Sequence, residues 1–199
     1  MIGIMAIGGV PSTGKSTLMK AFVNQNIFKS YEIAQAFEFA QVKGYRFLDH
    51  KLLILGIYEN NEPFSGTDKL SFSVQRSFDH LLQVAQDAPE WNEWVILFEG
   101  DRLFNRQTLA QCLLCPHRYY VVTVDEKILA ARQQKRSQNE AWVKGRMTKI
   151  SNLRGEFTLT HLDNTSSYEL LRNVRTLYDD LLEVQKEAAA WTSKISSGS

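Results

Sequence analysis

The stretch that decides the fold is GVPSTGKS, residues 9–16. It matches the pattern G-x-x-x-x-G-K-[ST] at every fixed position. A short, uniformly apolar run at residues 2–7 precedes it and predicts a buried strand, because two glycines close the run. Apolar residues at helical spacing predict a helix from Lys15 to about Asn24. The order of strand, glycine-rich loop and helix is the context that this pattern requires.

The residue types in this loop predict a nucleotide phosphate site. Glycines allow backbone amides to form a concave nest, and the new helix offers unpaired N–H groups to anions. Lys15 would neutralise the charge of the β- and γ-phosphates, and Ser16 would ligate Mg²⁺. We therefore expect ATP and Mg²⁺ as cofactors; the alternative, a glycine-rich turn without a ligand, fits the flanking strand and helix less well. The expected ATP-binding residues in the loop are Gly9, Ser12, Thr13, Gly14, Lys15, Ser16 and Thr17.

Length and composition indicate one ordinary globular domain. The 199 residues are 44% apolar and 23% charged, and the formal net charge is +1. No apolar run approaches the roughly 20 residues of a membrane span, and no basic leader precedes residues 2–7, so we expect a cytoplasmic protein without membrane partners. Nucleic-acid binding would need a local basic patch, because the whole-molecule field is close to neutral. The two cysteines, Cys112 and Cys115, cannot build a disulfide framework.

The rest of the chain alternates between strand and helix patterns. The apolar periodicity predicts helices over residues 71–86, 103–114, 125–134, 138–153 and 167–191, strands over 94–98, 119–124 and 157–161, and a hairpin within 37–58 built from the runs 45–48 and 52–57. This alternation predicts an α/β fold: a doubly wound, mostly parallel sheet with helices on both faces. We expect one domain over residues 1–192 and a flexible tail over 193–199.

Two acidic residues follow the predicted strand 94–98. Glu99 and Asp101 would lie where ligands bind in doubly wound sheets, at the carboxyl end of a strand. Either carboxylate would hold Mg²⁺ or take the proton of an acceptor hydroxyl, and Ser16 with Glu99 is the expected metal pair. The alternative is a helix cap by Asp101 and a solvated Glu99.

A basic stretch occupies residues 132–154, where seven lysines and arginines face one acid, Glu140. Small-molecule kinases of this fold place a helical lid of this kind over the transferred phosphate. We expect Arg146 to stabilise that phosphate; an exposed helical face is the alternative. Trp142, within this stretch, would stack on a base or pack against the core. The seven cations are Arg132, Lys135, Arg136, Lys144, Arg146, Lys149 and Arg154.

Two loops complete the candidate site. The stretch FSGTDKLS, residues 64–71, offers hydroxyls, amides and one carboxylate on the side where kinases of this fold bind the acceptor, and Asp68 is a further candidate base. Asn164 and Thr165 follow the last predicted strand and would contact the adenine edge. For both loops the alternative is helix capping.

The loop at residues 9–16 identifies the chain as similar to P-loop NTPases, and no Asn-Lys-x-Asp signature points to a GTPase. The stretches 64–71 (FSGTDKLS), 98–104 (FEGDRLF) and 142–153 (WVKGRMTKISNL) resemble bacteriophage 5-hydroxymethyluracil DNA kinases. That resemblance implies ATP-dependent phosphorylation of the hydroxymethyl group on a base in DNA, in the host cytoplasm. Matched to that family, Lys15 and Ser16 belong to the phosphate loop, Glu99 and Asp101 to the acid pair, and Arg146 and Lys149 to the basic lid; Asp68 lies in the acceptor loop with its role unassigned.

Two other functions fit the same residues. A kinase of a free nucleoside or nucleotide needs the same loop, acids and lid, because both acceptors require a base pocket and a phosphate-binding surface. A non-catalytic module that binds NTP and switches a partner surface needs only the loop. Transfer of γ-phosphate to a hydroxyl separates the kinases from the module.

Overall fold

The computed structural model describes residues 1–24, 34–58, 66–136 and 139–197, with side chains as far as residue 191. Its centre is a sheet in the order β2-β3-β4-β5-β1-β6-β7. Strands β4, β5, β1, β6 and β7 run parallel, whereas β2 and β3 form antiparallel pairs at one edge. The strands are β1 (Gly3–Gly8), β2 (Ala34–Phe39), β3 (Val42–Phe47), β4 (Leu52–Leu55), β5 (Val95–Glu99), β6 (His117–Thr123) and β7 (Thr160–Asp163).

Helices cover both faces of this sheet, which confirms the predicted fold class. Side chains alternate along β1, so that Ile4 and Ala6 pack with α2 and α3 on one face, while Met5 and Ile7 pack with α1 and α6 on the other. Both sets are fully buried, as the continuous apolar pattern of a central parallel strand predicts. The helices are α1 (Lys15–Asn24), α2 (Val74–Asp87), α3 (Arg106–Cys112), α4 (Glu126–Lys135), α5 (Glu140–Glu156) and α6 (Ser167–Ser197).

Three predicted elements differ from the structure. The hairpin is present as β3 and β4, but a further strand, β2, pairs with β3 and was missed. The predicted strand 157–161 is wrong in position, because α5 continues past Gly155 and the Phe157 N–H donates to the Leu153 carbonyl; β7 starts only at Thr160. The predicted helix 103–114 is wrong at its start, because Asn105 caps α3 and the residues before it form a turn.

The chain terminus lies partly outside the described residues. The backbone of α6 is helical as far as Ser197, six residues beyond the predicted end at Trp191. Residues 198–199 and the side chains from 192 onward are not among the described ones, so the domain limits and the tail over 193–199 stay predictions. No helix in the described ranges combines the length and the apolar character that crossing a bilayer needs.

The carboxyl ends of the parallel strands share one edge of the sheet. β1 lies between β5 and β6, and its end leads directly into the glycine-rich loop. Strand β5 delivers Glu99 to the same edge, and β7 ends there at Asp163. Ligands of doubly wound sheets bind at this edge, so the topology brings the candidate residues together.

Candidate active site

The loop at residues 9–16 adopts the conformation of an anion nest. Gly9 and Gly14 have positive φ angles of 144° and 91°, and Ser12 has a φ of 72°. Lys15 Nζ donates to the Gly9 carbonyl at 2.9 Å and to the Val10 carbonyl at 3.3 Å, so the ammonium group lies over the loop. The lysine charge and the loop amides therefore converge where the phosphates of a nucleotide would bind.

Asn164 holds this loop from the side of β7. Its side chain is only 6% exposed, and Nδ2 donates to the Thr13 carbonyl at 3.0 Å and to the Gly14 carbonyl at 3.5 Å. A Cβ atom at residue 14 would overlap Asn164 Nδ2, which explains the glycine there. The amide donor group of Asn164 is thus occupied by carbonyl groups of the loop. The contact between Asn164 and adenine that the sequence suggested stays a prediction.

Ser16 and Glu99 form the second part of the site. Ser16 Oγ, in the first turn of α1, donates to Glu99 Oε1 at 2.9 Å. Glu99 is 1% exposed, and burial raises its pKa to about 7, while the positive charge of Lys15 lowers it. Gly66 backs this carboxylate with a φ of 75°, and a Cβ atom there would overlap Oε1. A hydroxyl and a carboxylate oxygen in contact beside a phosphate nest fit Mg²⁺, which binds proteins through one or two carboxylates and substrate phosphates.

The Asp68 carboxylate forms hydrogen bonds with the main chain of the turn after β5. Its Oδ1 accepts from the Asp101 N–H at 2.8 Å and from the Arg102 N–H at 3.3 Å. Burial raises the pKa of Asp68, and the nearby charge of Asp101 raises it further. Asp68 does not cap a helix: no side chain caps the N-terminus of the short 3₁₀ turn Thr67–Lys69 or that of α2. Residues 64 and 65 of the acceptor stretch lie outside the described residues.

The Asp101 carboxylate forms ion pairs with two basic side chains of α5. Arg146 Nε lies 3.2 Å from Oδ2 and Lys149 Nζ lies 3.4 Å from Oδ1. Lys149 also donates to the Asp101 main-chain carbonyl at 3.2 Å, and burial lowers its pKa although Asp101 opposes this. The basic helix therefore contacts the acidic strand end, and Asp101 does not cap α3, which Asn105 caps.

Helix α4 covers the other side of the loop. Arg132 Nη1 donates to the Ser12 carbonyl at 3.5 Å, and Gln133 Nε2 donates to the Pro11 carbonyl at 3.4 Å. Between α4, the loop and the start of α6 is a cleft of about 880 Å³, large enough for a nucleotide. Its lining includes Ser12, Gly14, Thr17, Arg132, Lys135, Arg136 and Asn164. From the sequence, Arg132 and Arg136 were expected only as part of the basic stretch, and their spacing of four residues was the available signal that both could face one side of a helix.

Comparison with family models agrees with this geometry. The model described as P-loop Nucleotide Kinase3 matches residues 3–171. This chain belongs to the P-loop nucleotide kinase 3 family. The match runs from β1 into α6 and so includes the loop, the turn with Asp68, the acidic strand end and the basic helix. No curated protein matches the chain.

This P-loop kinase has a further pocket that the sequence analysis missed. It measures about 290 Å³ and lies between α1 and strands β3 and β4, lined by Met19, Lys20, Val23, Asn24, Ala34, Tyr45, Phe47, Ile54 and Tyr58. The Tyr58 hydroxyl is buried and has no hydrogen-bond partner among the described residues. Burial raises the pKa of Tyr58, and the charges of Glu99 and Asp68 raise it further. No sequence motif contains Tyr58, and its place in this pocket depends on the tertiary structure.

The hydrogen bonds of Asn164 predict a uniform effect on nucleotide binding. Asn164→Ala should weaken ATP and GTP binding to the same degree, by about 10-fold, because it removes buried bonds that hold the loop. Isothermal titration with both nucleotides measures this. A selective loss of ATP affinity, with GTP unchanged, would instead assign Asn164 to the adenine edge.

The raised pKa of Glu99 predicts a pH-dependent stability. The folded state binds a proton more tightly than the unfolded state, so this group's favourable contribution is complete below about pH 4.5 and is lost as the pH rises through about 7. Metal-free Glu99→Gln should therefore gain about 2 to 3 kcal/mol in unfolding free energy relative to the unmodified protein between pH 5 and pH 8. Urea titrations of both proteins at the two pH values measure the gain. Parallel pH profiles would show that Glu99 is ionised at pH 5.

Proposed function

We propose that this P-loop kinase transfers the γ-phosphate of ATP to the hydroxymethyl group of 5-hydroxymethyluracil in bacteriophage DNA. One observation carries the proposal: parts of all three stretches that resemble such kinases meet at the end of β5. Asp68 from the first stretch binds the Asp101 amide of the second, and Arg146 and Lys149 of the third bind the Asp101 carboxylate. Residues this far apart in sequence have no local reason to meet.

The phosphate loop would bind the donor. Loop amides and Lys15 would bind the β- and γ-phosphates of ATP, and the cleft beside α4 would hold the rest of the nucleotide. Ser16 and Glu99 would hold Mg²⁺, which when bound neutralises charge on the phosphate oxygens. Glu99 would release its proton as the cation binds, because a buried carboxylate is stabilised in its charged form by a neighbouring cation.

Asp101 is the base in this proposal. The hydroxymethyl oxygen forms a bond to the γ-phosphorus, the bond from that phosphorus to the β–γ bridging oxygen breaks, and ADP leaves. The hydroxyl proton passes to the Asp101 carboxylate. Glu99 contacts Ser16 and Asp68 contacts two main-chain amides, whereas the Asp101 side chain contacts two cationic side chains and is 19% exposed.

Arg146 and Lys149 have a second role beside this base. Both can turn from Asp101 to the oxygens of the transferred phosphoryl group, where negative charge spreads in the transition state. That movement would leave Asp101 free to accept the proton. Cations held near their destination by a carboxylate need little reorganisation when the substrate arrives.

The apolar pocket beside α1 would hold the acceptor base. Its volume of about 290 Å³ suits a nucleobase, and Tyr45, Phe47 and Tyr58 supply aromatic walls. The Tyr58 hydroxyl, which has no hydrogen-bond partner among the described residues, offers a hydrogen bond to the polar edge of that base or to its hydroxymethyl group. A base within a duplex would have to leave the stack to enter, as enzymes acting on bases require.

A free hydroxymethylated nucleotide is the second candidate acceptor, and the same pocket favours it. A pocket of this size accepts a base with or without an attached strand. The two candidates differ in charge, because a DNA acceptor brings many phosphates and a monophosphate brings one. A non-catalytic binding module would leave the Asp101 cluster without use.

Substitutions at the three reacting groups should have different effects. Asp101→Asn should lower kcat by about 100-fold or more with little change in the acceptor KM, because a general base contributes at this scale. Glu99→Gln should raise the Mg²⁺ concentration for half-maximal rate, and Lys15→Ala should abolish transfer with the fold intact. Steady-state assays with labelled ATP measure all three, with circular dichroism as the test of folding.

Asp179→Asn on the exposed face of α6 is the matched control, because its carboxylate makes only a surface ion pair at 3.9 Å. It should behave like the unmodified protein. Equal and small effects of Asp101→Asn and Glu99→Gln would remove the end of β5 as the reaction centre.

A further inference from the structure

Two arginine–aromatic pairs include an arginine that is next to Asp101 in the chain or in contact with its carboxylate. The guanidinium carbon of Arg102, the next residue in the chain, lies 3.3 Å from the centroid of the Phe72 ring. The guanidinium carbon of Arg146, which pairs with the Asp101 carboxylate, lies 5.5 Å from the centroid of the Trp142 ring. We call Phe72, Arg102, Arg146, Lys149 and Trp142 the rim strip.

Phe72 is held in an exposed position. Its side chain is 87% exposed, the largest value among the large apolar side chains of the described residues. The neighbours on both sides are anchored, since Leu70 and Val74 are buried and the Ser73 hydroxyl donates to Gln41. The ring therefore lies with one face against Arg102 and the rest of its surface in solvent. Exposure of an apolar ring to water is unfavourable, so contact with a partner that covers the ring would be favourable.

Trp142 presents a similar surface from the lid. It lies in the first turn of α5, where Asn139 caps the helix through the Trp142 amide at 3.0 Å. The ring is 39% exposed, although tryptophan usually buries most of its surface. Arg146, one helical turn along, faces the ring, so this platform also combines a π-surface with a fixed cation.

Charge along the rim strip favours an anionic partner. Arg102, Arg146 and Lys149 supply three cations against the carboxylate of Asp101, which pairs with two of them, and that of Asp68, which binds the Asp101 and Arg102 amides. Arg102 forms no ion pair within the described part of the chain, and its Nε is buried there without a hydrogen-bond acceptor. A surface that interleaves exposed aromatic rings with an excess of positive charge matches the chemistry of a single nucleic-acid strand, whose bases stack and whose phosphates pair with cations.

We propose that Phe72 and Trp142 stack on the bases that flank the acceptor in an unpaired DNA strand, with Arg102 contacting the strand's phosphates. The choice of DNA rests on the proposed function. Paired bases in a duplex hide their faces in the stack, so the rim strip binds a strand that is already open or has been opened locally. Stacking is tolerant of base identity, and the rim strip therefore contributes affinity and position but little sequence preference.

Equilibrium binding of an unmodified, fluorescein-labelled 12-nucleotide strand tests this without requiring phosphotransfer. Phe72→Ala and Trp142→Ala should each weaken binding by about 10-fold, the scale of one lost base–aromatic stack. Phe72→Tyr and Trp142→Phe should restore binding to within about 3-fold, because a ring is kept. Trp191→Ala is the matched control, since Trp191 is similarly exposed but lies beside Leu113 and Arg118, away from the carboxyl edge of the sheet. Thermal unfolding of every variant checks the fold.

The outcomes separate this inference from the proposed function. Loss of strand binding in both alanine variants, with rescue by the aromatic ones, supports the rim strip even if hydroxymethylated DNA is not phosphorylated. Alanine variants that bind as tightly as Trp191→Ala would overturn it, even if the enzyme phosphorylates DNA. A matched duplex bound as tightly as the single strand would also overturn it, because open base faces are then not required.

Discussion

The burial of one carboxylate, Glu99, is the constraint on which the site depends. A carboxyl group with almost no exposure loses its hydration, and each neighbouring contact offsets part of that loss. Ser16 donates to its carboxylate and the Lys15 charge stabilises its ionised form, while Thr67 donates to its main-chain carbonyl at 2.7 Å. Residues of α1, the turn Thr67–Lys69 and β5 thus meet at one residue. Burial raises the pKa of this carboxyl group to about 7, and a bound cation would favour its ionised form.

Asp101, at the end of the same strand, has a different environment from Glu99. Two residues beyond Glu99, the chain has left the sheet, and the side chain reaches cations of α5 instead of the core. The two acids therefore have different environments: Glu99 is buried against Ser16, whereas Asp101 pairs with Arg146 and Lys149. Different environments of neighbouring carboxylates are the usual basis for dividing metal binding and proton transfer between them.

Much of the fold could be predicted because its signals are local. The loop pattern, the apolar run of β1 and the periodicity of α2 each depend on residues close in sequence, and the structure confirms them. The missed strand β2 has only one buried residue, Phe37, so its pattern lacks the apolar alternation of a half-buried strand. The end of α5 was misjudged because Gly155, in open space, does not stop the helix.

The candidate residues of the site could be selected from the sequence, but most of their contacts could not. Lys15, Ser16, Glu99 and Asp101 stand in recognisable motifs, whereas the capping alternatives for Asp68 and Asp101 could be decided only by geometry. Tyr58 has no signal in the sequence, because its place in the pocket beside α1 depends on residues that are distant in the chain. Hydrogen bonds between distant segments, such as Asn164 to Thr13, are likewise absent from any local pattern.

The central claim is that the acceptor is a hydroxymethylated base in DNA. Its most direct test measures the transfer of labelled γ-phosphate from ATP to a hydroxymethylated single-stranded DNA and to the corresponding monophosphate. The quantity to compare is the salt dependence of the KM for each acceptor. If DNA is the acceptor, its KM should rise steeply with salt, with a log–log slope of about 0.7 for each phosphate that the protein neutralises on a single strand. The monophosphate should be the poorer substrate, with a shallow dependence, and unmodified DNA should accept no phosphate. A flat slope for the DNA together with faster turnover of the monophosphate would contradict the account and identify a free-nucleotide kinase.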